Sequence, residues 1–105
     1  MKLWIDDVRP APEGYFWCKS VNEAKQKIEL NECANKTNHF KYPISLIDID
    51  HDAGDYAFDG GDYVKLLDWL EETGRNYPIH IHSANPVGIA NMRRIIQRNN
   101  WKEIK

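Results

Sequence analysis

Ile44-Ser45-Leu46-Ile47-Asp48-Ile49-Asp50-His51-Asp52 is the stretch on which the fold turns. Ile44, Leu46, Ile47 and Ile49 form a nearly continuous apolar run, the pattern of a strand buried in the middle of a parallel sheet. The run breaks into Asp50-His51-Asp52, followed by a loop rich in glycine and aspartate from Asp52 to Gly61. Beyond it, Tyr63, Leu66, Leu67 and Leu70 recur at i, i+3, i+4 and i+7, and Thr73-Gly74 supplies a stop, which predicts a helix over 62–73. Tyr77–His82 reads as another short strand. Asn85 then serves as an N-cap with Pro86 at the first helical position, and Ile89, Met92 and Ile96 give the inner stripe of a last helix reaching about Asn99.

Working back toward the N-terminus, Lys2–Asp6 and the aromatic Tyr15–Cys18 read as strands. Between them, Pro10, Pro12 and Gly14 make Val8–Gly14 irregular. Ser20-Val21-Asn22-Glu23 is a capping box, and Val21, Ala24 and Ile28 carry a helix to about Ala34, with Asn35–Lys41 as polar loop. The order β-β-α-β-α-β-α predicts an α/β chain with a short, mostly parallel four-stranded sheet and helices on its faces.

A chain of 105 residues, 42% hydrophobic and 29% charged, has room for one globular domain, 1–105. A net charge of −2 argues against bulk nucleic-acid binding or attachment to an acidic membrane by charge alone. No apolar run approaches the roughly 20 residues of a membrane span, and Met1–Asp7 meets paired carboxylates too early for a signal core, so a cytoplasmic protein is expected. Cys18 and Cys33 lack metal-site spacing and read as reduced thiols. The charge is uneven. Asp48, Asp50, Asp52, Asp55, Asp59 and Asp62 share a segment without Lys or Arg, whereas Arg93, Arg94, Arg98, Lys102 and Lys105 crowd the end, where a solvated helix face is the plainer reading.

Ligands on parallel sheets sit at the carboxyl ends of the strands. Asp6-Asp7, Asp50-His51-Asp52 and His82-Ser83-Ala84-Asn85 all fall there. Asp6, Asp7 and Asp50 packed together would be strongly repulsive without a cation, and oxygen-only ligands suit a hard divalent metal such as Mg²⁺ or Mn²⁺. Ser83, Asn85 and the amides of the last helix start offer an anion site opposite, with Arg9 as a charge clamp or a simple ion-pair partner. Asp50, His51 and His82 are the candidate catalytic residues, the histidines as proton donors or acceptors. Asp48, deeper on the same side as Asp50, is read as a structural partner for a histidine of the next strand. The Asp48-x-Asp50-x-Asp52 spacing also matches the opening of a calcium loop, but Ala53 stands where that loop turns on glycine and Asp59 where it closes on glutamate.

Asp6-Asp7, Asp50 and Ser83 on successive strand ends resemble the metal and phosphoryl pocket of response-regulator receiver domains, in a flavodoxin-like three-layer fold. Here the first helix is reduced to Val8–Gly14, and the usual last strand and helix are lacking. More specifically, Leu3-Trp4-Ile5-Asp6-Asp7-Val8-Arg9-Pro10, Ile49-Asp50-His51-Asp52-Ala53-Gly54 and His82-Ser83-Ala84-Asn85-Pro86 resemble the cyclic-phosphate processing receiver domains, over essentially the whole chain. That resemblance implies a metal-dependent phosphoesterase acting on a small nucleotide or an RNA end bearing a cyclic phosphate. The alternative it leaves open is a non-catalytic module that binds a phosphorylated or nucleotide ligand or partner.

Overall fold

The computed structural model describes residues 1–36 and 43–105. The elements are β1 (Lys2–Ile5), β2 (Tyr15–Cys18), α1 (Val21–Lys36), β3 (Leu46–Ile49), a 3₁₀ turn (Gly54–Tyr56), α2 (Val64–Glu72), β4 (Ile79–Ile81) and α3 (Pro86–Arg98). Helix α1 runs two residues past the expected end and takes in Asn35 and Lys36. The remainder of the expected Asn35–Lys41 loop lies outside the described residues.

The four strands are all parallel, in the order β2-β1-β3-β4. From β2 through β3 to β4 the chain moves one way across the sheet, so right-handed crossovers put α1 and α2 on the same face. One apolar cluster shows that α3 joins them. Val21, Ala24 and Ile28 of α1, Leu66, Leu67 and Leu70 of α2, and Met92, Ile95 and Ile96 of α3 all pack with Leu3, Ile5, Ile47, Ile49 and Ile79.

The expected receiver-like α/β sheet is therefore present, but among the described residues helices cover only one of its faces. The connection that would carry the other layer is β1–β2, and Pro10, Pro12 and Gly14 keep it from becoming a helix. The uncovered face carries the register-matched Trp4, Trp17, Asp48 and His80. The expected absence of a last strand needs a small amendment. A single parallel bridge, Ile79 with Glu103, lies on the β4 edge, where the Ile79 N–H donates to the Lys102 carbonyl at 2.9 Å and the Ile104 N–H to that of Ile79 at 2.7 Å.

Helix ends follow the local chemistry. The Glu23 N–H donates to Ser20 Oγ at 3.1 Å, while the Glu23 carboxylate accepts from the Lys19 N–H at 2.6 Å, one residue earlier than a strict capping box. Helix α2 stops in a Schellman motif. Gly74 takes φ +68°, its N–H donates to the Glu71 carbonyl, and that of Arg75 donates to the Leu70 carbonyl. Asn100, at φ 56°, ends α3 the same way, with the Trp101 N–H on the Ile96 carbonyl. Two of the three arginines of the basic end are tied down: Arg93 pairs with Glu103 and Arg98 with Glu71. Among the described residues no helix is long and apolar enough to cross a membrane.

Leu67 is fully buried where α2 meets the sheet. Leu67→Ala is expected to cost about 2–5 kcal/mol in urea unfolding, with the m-value unchanged. A loss under 1 kcal/mol would show that this helix is not seated as described.

Candidate functional site

The parallel register sets the ends of β1 and β3 side by side, since Ile5 pairs with Ile49 and the next residue of each strand is an aspartate. The Asp50 N–H donates to the Ile5 carbonyl at 2.9 Å, and the Asp6 N–H to the Cys18 carbonyl at 3.2 Å. Two indoles fix the turn that follows β1: Trp17 Nε1–H donates to the Asp6 carbonyl at 2.8 Å, and Trp4 Nε1–H to that of Arg9 at 2.9 Å. The result is a rim on which one oxygen each of Asp6, Asp7 and Asp50 lie within 4.8 Å of one another.

The three carboxylates are not equivalent. Asp6 is fully buried. Its Oδ1 accepts from the Val8 and Arg9 amides, both at 2.9 Å, and its Oδ2 from His82 Nε2 at 2.9 Å. Burial pushes its pKa up, but those amides and His82 outweigh it and hold the carboxyl below the usual range. Asp7 moves the other way. Burial comes first among the causes that raise it, followed by the negative charges of Asp6 and Asp50. Asp50 accepts from the His51 amide at 2.8 Å. Beneath the rim lies buried Tyr63, whose phenol is pushed up by burial and by the same three carboxylates and donates to the Lys19 carbonyl at 2.6 Å.

These donors fit a divalent cation. All are hard oxygens, and the charges of Asp6 and Asp50 add to the burial that raises Asp7. Gly54, at φ +54°, lies so near that a Cβ there would fall 2.3 Å from Asp7 Oδ2.

His51 and His82, expected together at the mouth, hold different posts. His51 is braced: its Nδ1 lies 2.9 Å from Asp52 Oδ1, and its ring lies where a Cβ on Gly88 would reach, 2.3 Å from its Cγ. No buried side-chain nitrogen or oxygen is left without a partner among the described residues, so His51 Nε2, which has no protein partner, reaches solvent. His82 is instead locked under Asp6. Its Nδ1 meets Asp48 Oδ1 at 2.5 Å, its Nε2 meets Asp6 Oδ2, and its ring stacks on Trp4 with centroids 3.8 Å apart and planes 2° from parallel. The expected proton donor toward a ligand has both nitrogens turned to carboxylates, and Asp48 is its structural partner.

The anion side also departs from expectation. The amides at the start of α3 are already taken: Asn85 Oδ1 accepts from the Val87 and Gly88 N–H groups, both at 3.1 Å, and Ser83 Oγ accepts from the Asn85 N–H at 3.1 Å. A strong N-cap and an open anion site compete for the same donors. The Ser83 hydroxyl keeps its own proton to offer. Arg9 donates to the His82 carbonyl at 3.2 Å and lies 3.8 Å from Asp6 Oδ2, linking the turn after β1 to the end of β4.

Two assignments were beyond sequence reasoning. Asp59 clamps the start of α1, accepting from Ser20 Oγ at 2.6 Å, from the Asn22 side-chain amide at 3.2 Å and, through its carbonyl, from the Asn22 N–H. Asp62 accepts from the Ala53 N–H at 3.2 Å. Half-buried at best and far along the chain from what they hold, they left no signal but their number. Gly88, packed against the ring of His51, was equally silent.

Residues 1–98 match the family described as the cyclic-phosphate processing receiver domain. No curated protein matches the chain. Among solved structures, the Legionella pneumophila response regulator LqsR is similar, with 21% identity and a TM-score of 0.48 over 99% of this chain and 37% of that one. The chain thus spans little more than a third of that regulator.

The pressed carboxylates set the pH behaviour. With its pKa raised on folding, Asp7 binds a proton more tightly in the native state, so the metal-free protein loses stability as pH rises through that value. Asp7→Asn is expected to raise the metal-free Tm near pH 7 and to abolish the Tm increase given by Mn²⁺ in the parent. An unchanged Mn²⁺ response would remove Asp7 from the site.

Proposed function

The chain belongs to the cyclic-phosphate processing receiver domains, and from that premise we propose that it opens a cyclic phosphodiester on a small nucleotide or an RNA end. The observation that carries the reading is the joint placement of a three-carboxylate rim and a braced histidine: Asp6, Asp7 and Asp50 within 4.8 Å, and His51 held by Asp52 and Gly88 with its Nε2 toward solvent.

Asp6, Asp7 and Asp50 would hold Mg²⁺ or Mn²⁺, which supplies charge neutralisation for a phosphoryl oxygen. Asp7 and Asp50 have the freer lone pairs; Asp6 has committed three of four to Val8, Arg9 and His82. Asp52 orients the His51 ring, so Nε2 takes the proton of the attacking water. A new P–O bond forms to that water, one ring P–O bond breaks, and the departing alkoxide takes up a proton to leave a phosphomonoester. The Ser83 hydroxyl donates to a phosphoryl oxygen, and Asn85 holds Ser83 in place from the α3 cap. His82 is a positioning residue: it fixes the Asp6 carboxylate from below while Asp48 holds its other nitrogen. Arg9 supports the same wall.

One observation favours a second reading, a binding module without turnover. The α3 amides are closed by Asn85, so the anion side resembles a finished cap more than a site poised for developing charge.

Incubation of the protein with Mn²⁺ and 2′,3′- or 3′,5′-cyclic nucleotides, followed by ³¹P NMR, separates the two. Ring-opened monophosphate is the expected product. His51→Gln should slow it by roughly 10²–10⁴-fold while leaving Mn²⁺ binding in place. Gly88→Ala should mimic that loss, although alanine is the better helix former by about 1 kcal/mol, because its Cβ evicts the imidazole. Ligand held intact by the parent protein would leave the binding module; no Mn²⁺-dependent binding at all would end both readings.

A further inference from the structure

We infer that the ledge formed by Tyr56 and Phe58, with Lys19 beside it, receives the nucleobase of the cyclic phosphate, an inference that rests on the function proposed above. The ledge is tied to the acidic rim through two short stretches of chain. Lys19 directly follows Cys18, whose carbonyl takes the Asp6 amide. Tyr56 follows by two residues Gly54, where a Cβ would fall 2.3 Å from Asp7 Oδ2. At about 2 Å rise per residue in a 3₁₀ turn, Tyr56 starts about 4–6 Å from that contact, comparable to the distance from the phosphate of a nucleotide to its base.

The chemistry of the ledge suits a flat, electron-rich guest. Tyr56 and Phe58 lie with centroids 6.4 Å apart and planes at 26°, and Phe58 is 85% exposed. Lys19 Nζ sits 4.6 Å from the Trp17 ring centroid and 5.9 Å from that of Tyr56, a cation beside the aromatic surface. Lys19, Tyr56 and Phe58 line a groove of about 770 Å³ with Asn22 and Gln26 of α1, and Glu23, Glu29 and Asp59 add carboxylates to its wall. An exposed phenylalanine at a loop tip is common enough by itself; what distinguishes this one is that its loop is fixed. Asp59 is bonded to Ser20 and Asn22, and Gly60 is so close to α1 that a Cβ would fall 2.8 Å from both Asn22 Oδ1 and Val21 Cβ. The aromatic surface is therefore preorganised, which lowers the entropy lost on stacking. Base–aromatic stacking tolerates any base, so the ledge recognises a nucleoside without choosing among bases.

The test compares two probes in the presence of Mn²⁺ by titration calorimetry: adenosine 2′,3′-cyclic phosphate, and glycerol 1,2-cyclic phosphate, which carries the same five-membered ring without a base. The nucleoside should bind more tightly than the glycerol compound. Phe58→Ala should weaken nucleoside binding by about five- to a hundredfold, with the glycerol compound unaffected, and Tyr56→Ala should do the same. A short oligonucleotide ending in a 2′,3′-cyclic phosphate, run in parallel, tells the sources apart: tighter binding than the mononucleoside identifies an RNA end, and weaker binding a free nucleotide. If both probes bind equally, or Phe58→Ala costs nothing, the ledge is not the base site although the phosphate reading stands. If neither probe binds, that reading falls and takes this inference with it.

Discussion

Like charges held at contact range against their own repulsion are the constraint around which this molecule is arranged. Asp6, Asp7 and Asp50 meet because a parallel register leaves no choice about where β1 and β3 end. Everything near them manages the consequence. Asp48 and the three rim carboxylates carry four negative charges when ionised. His82, held between Asp48 and Asp6, and the Arg9 guanidinium are the groups set against them. Peptide amides stabilise Asp6, two indoles pin the backbone of its turn, and Tyr63 keeps its proton below.

Much of that scaffold was legible in the sequence because it is local. The Asn85-Pro86 cap, the Ser20–Glu23 pair and the leucine spacing of α2 each act within a turn or two of chain, where period and capping chemistry determine the outcome. The gathering of three polar clusters on one rim was also readable, since alternation of strand and helix brings all strand ends to the same side. The structure adds what depends on partners remote in sequence. Strand order, and with it the crowding of three helices onto one face, follows from register, which no single strand announces. His82 lies 34 residues from Asp48 and 76 from Asp6, so its double engagement had no signature beyond strand parity. The α3 tip shows a different limit. Its cap was read correctly from Asn85 and Pro86, yet the same cap consumes the donors that an anion site would need.

The two ends of the chain's charge distribution turn out to be different in kind. Arg98 and Arg93 of the basic end are paired with Glu71 and Glu103 and hold α3 and the terminal segment to the body of the domain. In the acidic segment, Asp59 and Asp62 are structural, closing the loop on α1 and on Ala53, whereas Asp50 belongs to the rim. Composition alone treats these aspartates as equals; hydrogen-bond accounting separates them.

The contact between Gly88 and the ring of His51 binds two distant stretches of the gene into one inherited unit. A larger residue at 88 has no room while the imidazole stays, since its Cβ would fall 2.3 Å from the ring. Mutational drift can therefore pass through this pair only by changing both codons together or by giving up the imidazole first. Lineages that abandon chemistry at this rim would be recognisable by side chains reappearing at position 88.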